Sequence, residues 1–94
     1  MATIGVLTLE IVLQNSHSLK DKRHVVKSLK DRLRSRFNVA VAEIDCQDLW
    51  QRAVLAAVTV SSDHGNAEKV LQSVEQEAAA LLGPELAGAT VEWM

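Results

Sequence analysis

Lys20, Arg23, Lys27, Lys30 and Arg34 follow one another at intervals of three, four, three and four residues. On an α-helix, side chains at that spacing are neighbours roughly 5–6 Å apart, so five cations on one stripe suit a run of phosphates. They lie within Ser18–Phe37, "SLKDKRHVVKSLKDRLRSRF", where Ser-Leu-Lys-Asp followed by a basic residue occurs twice, ten residues apart. The same segment holds Lys22, Arg32 and Arg36, so its eight cations meet only Asp21 and Asp31, a net +6. The remainder sets Arg52 and Lys69 against ten carboxylates, a net −8. A formal charge of −2 thus conceals two oppositely charged regions, and the basic one suits an anionic partner.

Projected at about 100° per residue, Val25, Val26, Leu29, Leu33 and Phe37 share an arc about 120° wide, with Leu19 at its edge. The five cations share an adjacent arc of about 80°. Arg32 and Arg36 fall on the other flank, and Asp21 and Asp31 fall outside the stripe. Lys27 and Asp31 are an available i,i+4 pair, worth at most about 0.5 kcal/mol. The two leucines of the repeat are displaced by roughly 80°, so the repeat is no heptad seam. Three readings of the stripe compete: an anion-binding face, a solvated face whose aliphatic stems cover the core edge, and a protein interface. Phe37, Trp50 and Trp93 are the only aromatic residues. A sheet would offer at most Trp93 for base stacking, so the anion expected is structured RNA met through shape and phosphates.

A second group lies in "EIDCQDLWQR", Glu43–Arg52. Glu43, Asp45 and Asp48 have no histidine beside them, and Cys46, the only cysteine, has no companion at ligand spacing. They read as acids at strand ends and in a hairpin loop; no metal and no cofactor is expected. Trp50 is expected as a lid over the core end, and Arg52 as the partner of one of the acids. Gln47, Asp48, Trp50 and Arg52 form a loop motif of unassigned role. His17, His24 and His64 are scattered. Ser61, Ser62, Asp63 and His64 have the composition of a triad, but adjacent residues at a helix start are better explained as caps. No residue is assigned a catalytic role, and the chain is read as a non-enzyme.

The elements that must carry these groups follow from periodicity. Thr3–Leu13 alternates with period two and reads as a strand, with Leu7, Leu9, Ile11 and Leu13 on one face. Ser18 caps a helix over Leu19–Phe37, with Asp21 in the capping-box position and Asn38 as a left-handed stop. Val39–Ile44 and Arg52–Ser61 read as strands of a hairpin, and Val54, Ala56, Val58 and Val60 as the core face of the second. Ala67, Val70, Leu71, Val74, Ala78 and Leu81 form the stripe of a second helix that Gly83-Pro84 ends. "GATVEWM" makes a last strand. The order β-α-β-β-α-β in 94 residues predicts one domain, residues 1–94, with the ferredoxin-like α+β sandwich: a four-stranded sheet and two helices on one face.

The predicted core is Leu7, Leu9, Ile11, Val26, Leu29, Leu33, Val58, Val60, Val70 and Val74. The opposite sheet face is predicted to present Val6, Thr8, Val12, Ala53, Leu55, Ala57 and Thr59, apolar enough that a homodimer is expected. The N-terminal "MATIGVLTLEIVLQN" has no basic region or cleavage site, and no apolar run approaches a membrane span. With a single cysteine, these features predict a cytoplasmic protein with no membrane partner.

"SLKDKRHVVKSLKDRLRSRFNVAVAE" followed by "QDLWQRA" resembles the bacterial YlxP-like family of small proteins of unknown function. The resemblance runs over nearly the whole chain and weakens after about Ala67. It implies a ferredoxin-like fold. Genes of the family often lie near those for translation initiation and ribosome maturation factors, which points towards RNA or the ribosome; the family supplies no established activity and no catalytic residues. The expected function is a non-catalytic RNA- or ribosome-associated binding module using the basic helix. The alternative is a small-ligand regulatory or oligomerisation domain acting through the open sheet face.

Overall fold

The computed structural model describes residues 1–94. The elements are β1 (Thr3–Val12), α1 (Leu19–Arg36), β2 (Ala40–Asp45), β3 (Arg52–Ser61), α2 (His64–Leu82), a short 3-10 turn over Gly83–Glu85, and β4 (Leu86–Trp93). The strands form one antiparallel sheet in the order β2-β3-β1-β4. Both helices pack on the same face, which gives the ferredoxin-like βαββαβ sandwich. No helix is long and apolar enough to cross a membrane.

Local chemistry accounts for the helix starts. Ser18 Oγ accepts from the Asp21 N–H at 3.1 Å, and Asp21 Oδ2 accepts from the His17 N–H at 3.0 Å. This is a capping box whose short acid satisfies the donor of the residue before the cap. Asp63 Oδ1 accepts from the Gly65 N–H at 3.2 Å and starts α2, which absorbs the triad-like run into a cap. Gly83, at φ +57°, ends α2. The end of α1 differs from expectation. Phe37 turns to extended backbone and packs against the core, while Asn38 is not left-handed; its carbonyl accepts from Thr59 Oγ1 at 2.8 Å.

The core joins Leu7, Leu9, Ile11 and Leu13 of β1 to Val26, Leu29 and Leu33 of α1, with Leu71, Val74 and Ala78 of α2. Seven of the predicted core residues are buried and Val70 packs against them. The prediction fails on β3, where Ala53, Leu55, Ala57 and Thr59 are buried, Val58 is half-buried and Val60 is 54% exposed. The cause is register. β1 sets Leu7 opposite Ala57, Leu9 opposite Leu55 and Ile11 opposite Ala53. Residues directly opposite in an antiparallel pair share a face, so the inward leucines of β1 draw these residues inward. Leu81, placed on the α2 stripe, is exposed, and Leu82 takes the buried position.

Trp93 lies on the helix side of the sheet. A Cβ added to Gly5 would stand 2.6 Å from the Trp93 ring and 2.7 Å from Leu71 Cδ1, so the glycine makes room for the indole. The outward face therefore carries no aromatic side chain, not even the one that the sequence allowed it.

Candidate functional site

The apolar stripe of α1 turns Val26, Leu29 and Leu33 inward and brings the adjacent cations to the surface. Lys20, Arg23, Lys27 and Arg34 are exposed and Lys30 is half-buried. Four of the five, Arg23, Lys27, Lys30 and Arg34, line one shallow concavity with Val26, Asp31 and Glu43; Lys20 stands outside it, towards the start of the helix.

Asp31 is nearer this stripe than the projection placed it. Its Oδ2 lies 2.7 Å from Lys27 Nζ and its Oδ1 lies 3.1 Å from Arg34 Nη2. The hydrogen bond from Lys27 holds the Asp31 carboxyl below its ordinary value; desolvation opposes it, and the Lys27 charge and Arg34 reinforce it. Lys27 and Arg34 are thus partly neutralised. Lys20, Arg23 and Lys30 have no carboxylate within ion-pair distance.

The other flank is occupied within the fold. Arg32 Nε meets Glu77 Oε2 at 3.0 Å, and Arg36 Nη1 meets Glu77 Oε1 at 2.9 Å, which clamps α1 to α2. The two sets of cations therefore differ in availability although they sit on the same helix.

Lys22, which sequence reasoning counted only as charge, is 1% exposed. Its Nζ donates to three main-chain carbonyls, Cys46 at 2.7 Å, Gln47 at 3.1 Å and Arg52 at 3.2 Å. Glu43 Oε2 lies 3.0 Å from the same nitrogen, is itself buried and has no well-aligned donor, so that contact is an ion pair rather than a hydrogen bond. Three protons meet three acceptors, and the carboxylate balances the charge, which is what a buried ammonium requires. A signal was available: Lys22 stands four, seven and eleven residues before Val26, Leu29 and Leu33, on the core stripe itself.

This ammonium organises the hairpin loop. Cys46 is left-handed, at φ +61°, and its N–H donates to Asp45 Oδ1 at 2.7 Å. Gln51 Nε2 reaches the carbonyls of Gln14 and Ser16, both at 3.3 Å, and Gln47 Nε2 donates to the Glu43 carbonyl at 3.4 Å. Arg52 pairs with no acid; its carbonyl serves Lys22, and the charge expected of Arg52 is supplied by Lys22 instead. Asp48 is exposed at the loop. Trp50 is 55% exposed and stands out from the loop instead of capping the core end, with Leu49 and Ile44 exposed near it in sequence. The fold therefore joins "SLKDKR" to "QDLWQR" through one side chain. No three of the chain's His, Cys, Asp and Glu side chains converge as a metal-ligating group.

The family model described as "Protein of unknown function (DUF503)" matches residues 4–90. The chain is 41% identical over 71 residues to the "Uncharacterized protein YlxP" of Bacillus subtilis (strain 168), covering 76% of this chain and 77% of that one. Among solved structures it is similar to the de novo designed protein Foldit4, with a TM-score of 0.61 at 12% identity over 100% of this chain and 97% of that one. It is also similar to SnoaB, a cofactor-independent oxygenase from Streptomyces nogalater, with a TM-score of 0.50 at 14% identity over 99% and 90% of the two chains. At such identities the likeness is one of fold alone.

Proposed function

From the premise that the chain belongs to the DUF503 family, whose members have no established function, we propose that it is a non-catalytic module that binds structured RNA, free or on the ribosome, through the basic face of α1. One observation carries this reading. The cations of α1 divide into those consumed by the fold, Lys22 by the hairpin and Arg32 and Arg36 by Glu77, and a set including Lys20, Arg23 and Lys30 that faces solvent without an acid. Such contacts position a nucleic acid through its phosphates and carry little sequence information. A partner of this kind makes the cytoplasm the proposed compartment.

The test is the salt dependence of binding to an RNA hairpin, followed by fluorescence anisotropy. Three free cations predict a slope of log affinity against log salt of about −2 to −3. Asp31→Asn frees Lys27 and Arg34 and steepens it to about −3.5 to −4.5, with tighter binding at low salt. Replacing Arg23, Lys27 and Lys30 by Glu abolishes binding with the fold intact, whereas Arg32→Gln with Arg36→Gln leaves affinity within about twofold. No binding at low salt, or equal losses from both flanks, overturns the proposal.

A further inference from the structure

We propose that the outward face of the sheet is covered by a second copy of this chain. The proposal is independent of the RNA reading, since α1 packs on the opposite face of the sheet. The corrected β3 register is what creates the surface: Ile4 and Val6 of β1 stand opposite Val60 and Val58, with Ala56 and Val54 continuing the row. Val60 is 54% and Ile4 38% exposed, and no element of the chain lies over them.

Area and shape select the occupant. The strands have ten, six, ten and eight residues. At about 3.3 Å per residue and about 4.8 Å between strands, the face has a plan area of roughly 500 Å². Its apolar part is centred on β1 and β3, where Ile4, Val6, Val54, Ala56, Val58 and Val60 lie together over roughly 300 Å², a size at which an exposed patch marks an interaction site. Two such faces together cover roughly 1,000 Å², about the lower bound for a specific interface. Short aliphatic side chains make the face flat, with neither a groove for a small molecule nor the aromatic groups that would stack on a base. A flat twisted apolar sheet is met best by another of the same extent, at a spacing of about 10 Å. A two-fold axis supplies one, with the same patch used on both copies: residue i of one meets residue j of the other, and j meets i. The polar groups of the face are peripheral or neutral: Thr8 and Thr90 carry no charge, Glu10, Glu92 and Asp45 lie towards its ends and edges, and Arg52 at the start of β3 supplies the opposite sign.

Sedimentation equilibrium of the full chain at tens of micromolar tests the proposal. The expected mass is twice 10.3 kDa. Val58→Lys and, as a gentler change on the same face, Thr8→Lys weaken the dimer at least about tenfold with unchanged far-ultraviolet circular dichroism. Lys27→Ala, on α1, leaves it intact. If Val58→Lys does not fold, Thr8→Lys decides. A monomeric wild-type chain overturns the proposal, and so does a dimer that survives the Lys substitutions, which would place the contact at a sheet edge.

Discussion

Lys22 and Asp31 show how two charged residues on one helix take opposite parts. An ammonium removed from water is tolerated where three carbonyls and a carboxylate replace its hydration, as they do for Lys22. Removing it leaves Glu43 as a partly buried charge without its counter-ion, and Lys22→Met is expected to cost about 3 kcal/mol in urea unfolding, the low end for a broken buried pair because Glu43 retains some access to water. Adding Glu43→Gln should recover part of that loss. Amide exchange over Cys46–Arg52 should accelerate in the single variant; a Lys22→Met protein as stable as the wild type would show that the ammonium is no anchor. Asp31 is exposed and its folded pKa is lowered, first by the hydrogen bond from Lys27. Its ionised form is therefore the one that folding favours. The contribution is full above the ordinary value of 3.8 and is lost as pH falls through the lower folded value. A carboxyl NMR titration should place the Asp31 midpoint below 3.8, and Lys27→Met should raise it.

At the scale of elements, α1 has three roles arranged by angle. Its apolar stripe packs on the core, Arg32 and Arg36 hold α2 through Glu77, and the free cations face solvent. The stripe and the cap were legible because both depend on residues within a turn or two of one another. β3 was misread because Val54, Ala56, Val58 and Val60 alternate with Ala53, Leu55 and Ala57, so that both faces are apolar and period-two contrast is absent. The observed register makes a direct prediction. Leu55→Ala and Leu29→Ala, both fully buried, should each cost about 2–5 kcal/mol by transfer and cavity terms. Leu81→Ala, which the stripe pattern would have ranked with them, should cost about 1 kcal/mol or less. Chemical denaturation of the three variants distinguishes the two arrangements.

At the scale of the whole molecule, the sheet separates an apolar outward face from a charged helical face. The two proposed contacts therefore lie on opposite sides and should respond differently to salt. RNA binding should weaken steeply as salt rises, whereas a dimer built on aliphatic burial should hold or tighten. Sedimentation and anisotropy over the same salt range measure both. Lys22 ties the start of the basic helix to the start of β3.

The amino-acid sequence by itself determined the element order, the βαββαβ architecture, the helix starts and the amphipathic division of α1. Those follow from periodicity and capping, which act between residues close in the chain. Tertiary structure alone decided which face of β3 is buried, because that rests on pairing with β1. It also decided which cations remain free. Lys22 finds its carbonyls 24 to 30 residues away, and Arg32 and Arg36 find Glu77 at separations of 45 and 41 residues. Of the eight basic side chains in that segment, only Lys22 is set apart in the sequence, by its place on the core stripe; the partners brought by folding separate the clamp of Arg32 and Arg36 from a face still open to an anion.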